Sequence, residues 1–302
     1  MASQQKFGSN EITGHFFNFF NNQLALLEKT YQYQFTELKQ LDETRLGNLY
    51  PLLFSIHHTG TSISLLSRHL HLSECYMLAR SFLERIINYI YLLSCKEKDY
   101  LRYLAYTKQK GFRVLNRSFA AGDLKMESRW TGSIDLESQP ELKKAIDMFT
   151  GKKSGRPITR WSLVSRSEML ESISNRGKLE IGYLMFAILG IYDDASEALH
   201  GTLYGSTFHI GTFTGKIPST KSGLKRIWGE QFSALFLMLG SCMHTLLQAF
   251  NKVATIESIV NESRDNLKNI GRVIKGIGGE EPGLTSWEVF MSGGEVEPPT
   301  TD

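Results

Sequence analysis

Arg80, Glu84, Asn88 and Tyr91 stand at i, i+4, i+8 and i+11 within Ser73–Cys95, SECYMLARSFLERIINYIYLLSC. On a helix that spacing sets them along one line. Asp193, Glu197, His200 and Tyr204 form a second line at i, i+4, i+7 and i+11 near the end of the apolar stretch Leu179–Tyr204. A histidine titrates near neutrality, so His200, oriented by Glu197 or Asp193, has the chemistry of an acid–base group. Arg80 would clamp an anionic substrate or phosphate, with Glu84 and Glu197 as orienting carboxylates. The structural alternative uses the same residues. Arg80 and Glu84 become an i, i+4 ion pair bolting neighbouring helices, and His200 a histidine satisfied by hydrogen bonds in the core.

Two strongly apolar helices must position these lines. Ser73–Cys95 starts well, with Ser73 as cap and Glu74 at the positive end of the helix dipole. Tyr76, Leu78, Ala79, Phe82, Leu83, Ile86, Ile87, Ile90, Leu92 and Leu93 cover more of its circumference than one face, so it reads as the central helix around which the chain is organised. Leu179–Tyr204 is the partner, with Gly190, Gly201 and Gly205 allowing close backbone approach.

Other chemistries fit less well. Glu197-x-x-His200 is half of a carboxylate-bridged di-metal motif, and no second Glu-x-x-His occurs. No cofactor is expected, although Glu84, Glu197 and His200 would make a two-carboxylate, one-histidine set for a single divalent ion. Ser196 beside Glu197 lacks the strand-turn-helix setting of a nucleophile elbow. GKKSGRP at Gly151–Pro157 is not a phosphate loop, because Asp147 stands where that pattern needs glycine; a basic turn able to touch phosphate remains. His57, His58, His69 and His71 point to different faces of their helix and do not chelate one ion jointly. Cys75, Cys95 and Cys242 show no zinc or disulfide spacing, which fits a reducing, cytoplasmic setting.

The 302 residues, 41% hydrophobic and 22% charged, exclude collagen-like and wholly disordered chains. The net charge of +3 is unevenly spread: Arg102–Lys178 holds 16 Lys and Arg against 8 Asp and Glu, whereas Gly276–Asp302 holds 6 acids and no base. A basic middle attracts phosphate-rich partners such as RNA or nucleotides, or is a solvated face. No signal peptide is visible. Phe232–Phe250 has 19 residues without an ionised side chain, but Ser233, Ser241, His244, Thr245 and Gln248 interrupt it, so a core helix is expected rather than a membrane span.

The fold class expected is all-α, an irregular bundle of seven or eight helices. A frayed start, residues 1–10, precedes a single helical domain, 11–275, with an irregular basic insertion at 122–160, and a disordered acidic tail follows at 276–302. The helices are read at Glu11–Leu41, Arg45–Leu72, Ser73–Cys95, Lys98–Ala121, Glu141–Phe149, Ser165–Arg176, Leu179–Tyr204 and Ser222–Val260, with Asn266–Lys275 adding a last turn or two. Thr207–Thr214 is read as a short strand or extended loop. Phe16, Phe17 and Phe20 give the first helix an aromatic face, and a homodimer through such a face is expected; the protein partner is not specified by the sequence.

LARSFLERIINYIYLL at Leu78–Leu93 and YDDASEALHGT at Tyr192–Thr202 resemble an uncharacterised family of bacterial helical proteins. That family carries an Arg-x-x-x-Glu helix and a later Tyr-x-x-x-Ser-x-x-x-His stretch, matched here by Arg80, Glu84, Tyr192, Ser196 and His200. The resemblance runs over roughly Asn48–Ala249 and adds Tyr192 and Ser196 to Asp193, Tyr204 and Asn88 as binding residues. The bundle is loosely similar to HEPN-type proteins, many of them ribonucleases of toxin and phage-defence systems. The HEPN signature is an Arg, four to six intervening residues and then a His on one helix; none of the eight histidines has an Arg at that spacing, Asp194 standing six residues before His200, so Arg80 would have to serve from another helix. These features lead to an expected bacterial phosphodiesterase directed at RNA or nucleotides, acting in stress or phage defence. Its rival is a non-catalytic scaffold or adaptor with a structural Arg/Glu/His cluster.

Overall fold

The computed structural model describes residues 10–37, 45–132, 134–207 and 218–278. The described chain is mostly helical: α1 (Asn10–Glu37), α2 (Arg45–Arg68), α3 (Leu72–Ser94), α4 (Glu97–Val114), α5 (Pro140–Met148), α6 (Arg166–Asn175), α7 (Gly182–Leu199), α8 (Leu203–Thr207), α9 (Lys221–Asn251) and α10 (Glu257–Gly278), with strands β1 (Asn116–Ala121) and β2 (Leu124–Arg129). It divides into two compact units, residues 1–93 with 170–302, and residues 94–169.

In the larger unit α9 is the axle. Its apolar residues face every direction, so it must be enclosed, and α1, α7 and α10 pack against it. Thr220 caps it, accepting from the Gly223 N–H at 3.1 Å. Phe236 is stacked on Phe20 and on Phe232, and meets Phe17 edge-on. Gly240 admits the Phe19 ring, which a Cβ there would meet at 2.4 Å. Among the described residues α9 is the one helix long and apolar enough to cross a membrane, and 89% of its apolar window is buried inside the fold. Phe16, Phe19 and Phe20 on α1 are likewise buried within the chain, whereas Phe17 is half-buried.

Helix α3 is buried along one broad face, and two arginines tie it to its neighbours. Arg45 of α2 donates to the Leu92 and Leu93 carbonyls at its C-terminal end, at 3.3 and 3.4 Å. Arg85 donates to the Ser55 carbonyl and the Thr59 hydroxyl. The three cysteines are free and buried.

Three expected helices end early, each for a local reason. The expected Lys98–Ala121 helix stops at Val114, because Ala120-Ala121-Gly122-Asp123 turns the chain into the β1–β2 hairpin, Phe119 opposite Met126 and Ala121 opposite Leu124. Gly122, at φ +58°, supplies the positive φ of a two-residue hairpin turn. This sheet corrects the all-α expectation, and the described residues form ten helices where seven or eight were expected. The long Ser222–Val260 helix breaks after Asn251, whose side chain accepts from the Ile256 N–H at 2.6 Å, and α10 follows. Leu179–Tyr204 breaks at Gly201. Residues 276–278 are helical; the remainder of the expected tail, most of the expected N-terminal fraying and the Thr207–Thr214 strand beyond Thr207 lie outside the described residues.

The smaller unit is built on a few aromatic contacts. Phe149 is fully buried, packed by Tyr106 and by the Arg102 guanidinium 4.4 Å above its ring. Arg102 donates to the Trp161 carbonyl at 2.9 Å, and Arg113 to the Thr150 hydroxyl at 2.7 Å. The Gly151–Pro157 segment is a closed turn: Gly151 N–H donates to Arg156 O and Gly155 N–H to Gly151 O, both at 2.8 Å. Gly155 takes φ +62° there. The turn leaves Lys152, Lys153 and Arg156 exposed, without an ion-pair partner among the described residues.

Candidate functional site

The lines read from the sequence meet at Arg80, with a partner set shifted by one position. Arg80 and Glu84 lie one turn apart on α3; Tyr192 and Ser196 lie one turn apart on α7. Arg80 Nη1 donates to Ser196 Oγ at 2.5 Å, Nη2 to Tyr192 Oη at 2.8 Å and Nε to Glu84 Oε1 at 3.4 Å. The Tyr192 hydroxyl in turn donates a hydrogen bond to Glu84 Oε1 at 3.0 Å, and the Ser196 hydroxyl donates one to the Tyr192 carbonyl at 2.7 Å. The guanidinium carbon also stands 4.2 Å from the centre of the Tyr192 ring, an attractive placement for a cation. The circuit is half-buried, with 21% of the Arg80 side chain and 40% of the Glu84 side chain exposed.

This arrangement fixes where the protons go. Both hydroxyl protons are committed, that of Ser196 to a backbone carbonyl, which is no base, and that of Tyr192 to the Glu84 carboxylate, so no base stands ready to activate Ser196. A guanidinium has five N–H donors, and this network uses one on each of its three nitrogens.

The other expected residues are placed elsewhere. His200 is exposed at the end of α7, where its backbone N–H bonds to the Ser196 carbonyl at 3.0 Å. Gly201 follows at φ +63°, donating to the Ala198 carbonyl, and the Thr202 N–H reaches the Glu197 carbonyl. Those two bonds with a left-handed glycine form a Schellman end, so the helix line that would have carried His200 and Tyr204 inward stops. Glu197 then serves the turn, its carboxylate accepting from Thr202 Oγ1 at 2.6 Å, while Thr202 caps α8 by accepting from the Gly205 N–H at 3.0 Å. Gly205 sits so close that a Cβ would meet the Glu197 carbonyl carbon at 2.2 Å. Asp193 is exposed, and Asn88 is half-buried with no side-chain hydrogen bond among the described residues. No three His, Cys, Asp or Glu side chains converge among the described residues, Glu84, Glu197 and His200 included.

Two groups of residues were not singled out from the sequence. Asp194 accepts from Tyr204 Oη at 3.1 Å, and burial raises its pKa above the usual carboxylate value. Burial pushes the Tyr76 phenol far up, and the charge of the same carboxylate adds to the shift. Tyr76, Arg80 and Glu84 share one helix line, the signal that could have revealed this.

The second group is fully buried: Gln23 of α1, His244 of α9 and Ser263 of α10 are at most 4% exposed. Gln23 Nε2 donates to the Ser263 carbonyl at 3.1 Å, so its Oε1 faces Ser263 Oγ, which donates to it at 2.7 Å. The Ser263 proton is thereby used, and His244 must present Nδ1–H to Ser263 Oγ at 2.8 Å. Burial, with Arg264 nearby, pulls the His244 pKa down to about 4, so the ring is neutral at neutral pH.

The model of a family of unknown function, DUF5677, matches residues 23–217. That span includes both Arg80–Glu84 and Tyr192–His200. No curated protein and no solved structure matches the chain.

Proposed function

The chain belongs to the DUF5677 family of unknown function, and on that premise we propose a non-catalytic helical binding protein. Its larger unit is a scaffold held by the Arg80 circuit, and its smaller unit contacts the phosphates of RNA. The observation that carries the reading is the closed Gly151–Pro157 turn, which offers three unpaired cations together. The surrounding charge supports it: residues 94–169 hold 16 Lys and Arg against 9 Asp and Glu, and the rest of the chain 18 against 22. Arg102 and Arg113 are spent on carbonyls of the unit's own core, and Lys108 and Lys143 are paired with Glu141 and Glu137. The turn cations are not. Buried free thiols suit a cytoplasmic setting.

Fluorescence anisotropy with a single-stranded RNA at several salt concentrations tests this. Binding should weaken steeply with salt, and Lys152→Gln/Lys153→Gln/Arg156→Gln should lower the slope of log K against log salt by about 2. Unchanged affinity and slope in the triple variant, or no binding by wild type at low salt, would sink the reading.

A phosphodiesterase centred on Arg80 is the second reading, favoured by the two guanidinium donors the circuit leaves over. It requires RNA cleavage that Arg80→Ala removes while the melting curve stays cooperative. Intact RNA after incubation with wild type argues against it.

A further inference from the structure

Away from the Arg80 circuit, a cavity of about 360 Å³ opens between the start of α1, the end of α2 and the start of α9. Phe17, Phe232 and Phe236 form an aromatic floor, with Trp228 as a wall. These rings already pack on one another, Phe17 edge-on to Phe236 and Phe232 stacked on it, so the floor is rigid before anything enters. Arg68 and Lys225 also line the cavity, and no carboxylate does. Arg68 lies 5.5 Å above the Phe17 ring; neither cation has an ion-pair partner among the described residues. Gly14 lines the same space, and a Cβ built on it would meet nothing within 4 Å.

An aromatic floor and two uncompensated cations select a ligand with complementary halves. A flat apolar body gains from leaving water for the rings, and an anionic end gains from Arg68 and Lys225. The volume falls within the range of small-molecule sites. We propose that this cavity binds a small aromatic carboxylate, its ring system against Phe17 and Trp228, the aromatic lining residues that are not fully buried, and its carboxylate at Arg68 and Lys225. The site is independent of the RNA contact proposed above, since every residue in it belongs to the larger unit.

Isothermal titration calorimetry of the full chain with the naphthoate anion, beside neutral naphthalenemethanol, tests the assignment. Naphthoate should bind one per chain, about tenfold more tightly than the alcohol. Arg68→Gln/Lys225→Gln should bring the two ligands to equal affinity. Gly14→Leu fills the cavity from a helix position where leucine is the better helix former; it should abolish binding without lowering the melting temperature. Naphthoate bound equally well by Gly14→Leu, an alcohol bound as tightly as the anion by wild type, or no binding by wild type, each overturns the proposal.

Discussion

The Arg80 and His244 clusters both join helices of the larger unit, with opposite chemistry. Arg80 works at a half-open seam, where a charge keeps part of its hydration and its partners can reach water when it is lost. Gln23, Ser263 and His244 are fully buried, so their hydrogen bonds must be made to one another and the groups kept neutral. Charged side chains are therefore a poor guide to where this fold is most fragile: the neutral cluster has more to lose.

That contrast orders four expectations. Ser263→Ala strips a donor from Gln23 Oε1 and an acceptor from His244 Nδ1–H at once, and should cost about 4 kcal/mol at roughly 2 per orphaned buried group, read by urea unfolding. A loss no larger than that of Arg80→Ala would erase the distinction. Acid should act next. His244 is held at about 4 when folded against 6.5 when free, so the unfolded chain binds the extra proton first. Its stabilising contribution is complete above pH 6.5 and drains away as pH falls toward 4, by about 3 kcal/mol. His244→Asn, though less stable throughout, should show a flatter profile in that window; an identical acid slope would mean another group titrates.

Arg80→Ala should cost less, about 1 to 2 kcal/mol, because its hydrogen bonds are charge-assisted yet half-exposed. Arg80→Lys should recover little of it, since an ammonium cannot match the guanidinium fork that reaches Glu84, Ser196 and Tyr192 together. Full recovery by lysine would reduce the circuit to a simple charge. The smallest effect belongs to His200→Ala, within about 0.5 kcal/mol of wild type by thermal melting, as expected of an exposed side chain without a partner among the described residues.

The sequence disclosed what depends on repetition and hid what depends on single turns. Apolar residues at helical spacing located α1, α2, α3 and the start of α9, because burial imposes that period over many residues. Gly201 was read as a close-approach glycine inside one helix, whereas its left-handed backbone ends α7. One residue's φ thus ended the helix line at His200 and took Tyr204 off it. Gly122-Asp123 did the same for the hairpin. Arg80 and Glu84 were visible as an i, i+4 pair, while Tyr192 and Ser196 came from family resemblance, because a tyrosine and a serine in an apolar helix look ordinary. His244 looked like an interruption of an apolar run. Its partner Ser263 is 19 positions away, and Ser263's other partner, Gln23, lies 240 positions from it, so no local pattern links the three.

The pairing of α1 with α9 also bears on synthesis. Thr13 finds the Gly229 carbonyl 216 positions further along the chain. At translation speeds of about 5 to 20 residues per second, Phe16, Phe19 and Phe20 wait roughly 10 to 40 s for their permanent neighbours to emerge. During that interval the first helix of the nascent chain is an amphipathic segment without a home, a natural client for a ribosome-associated chaperone.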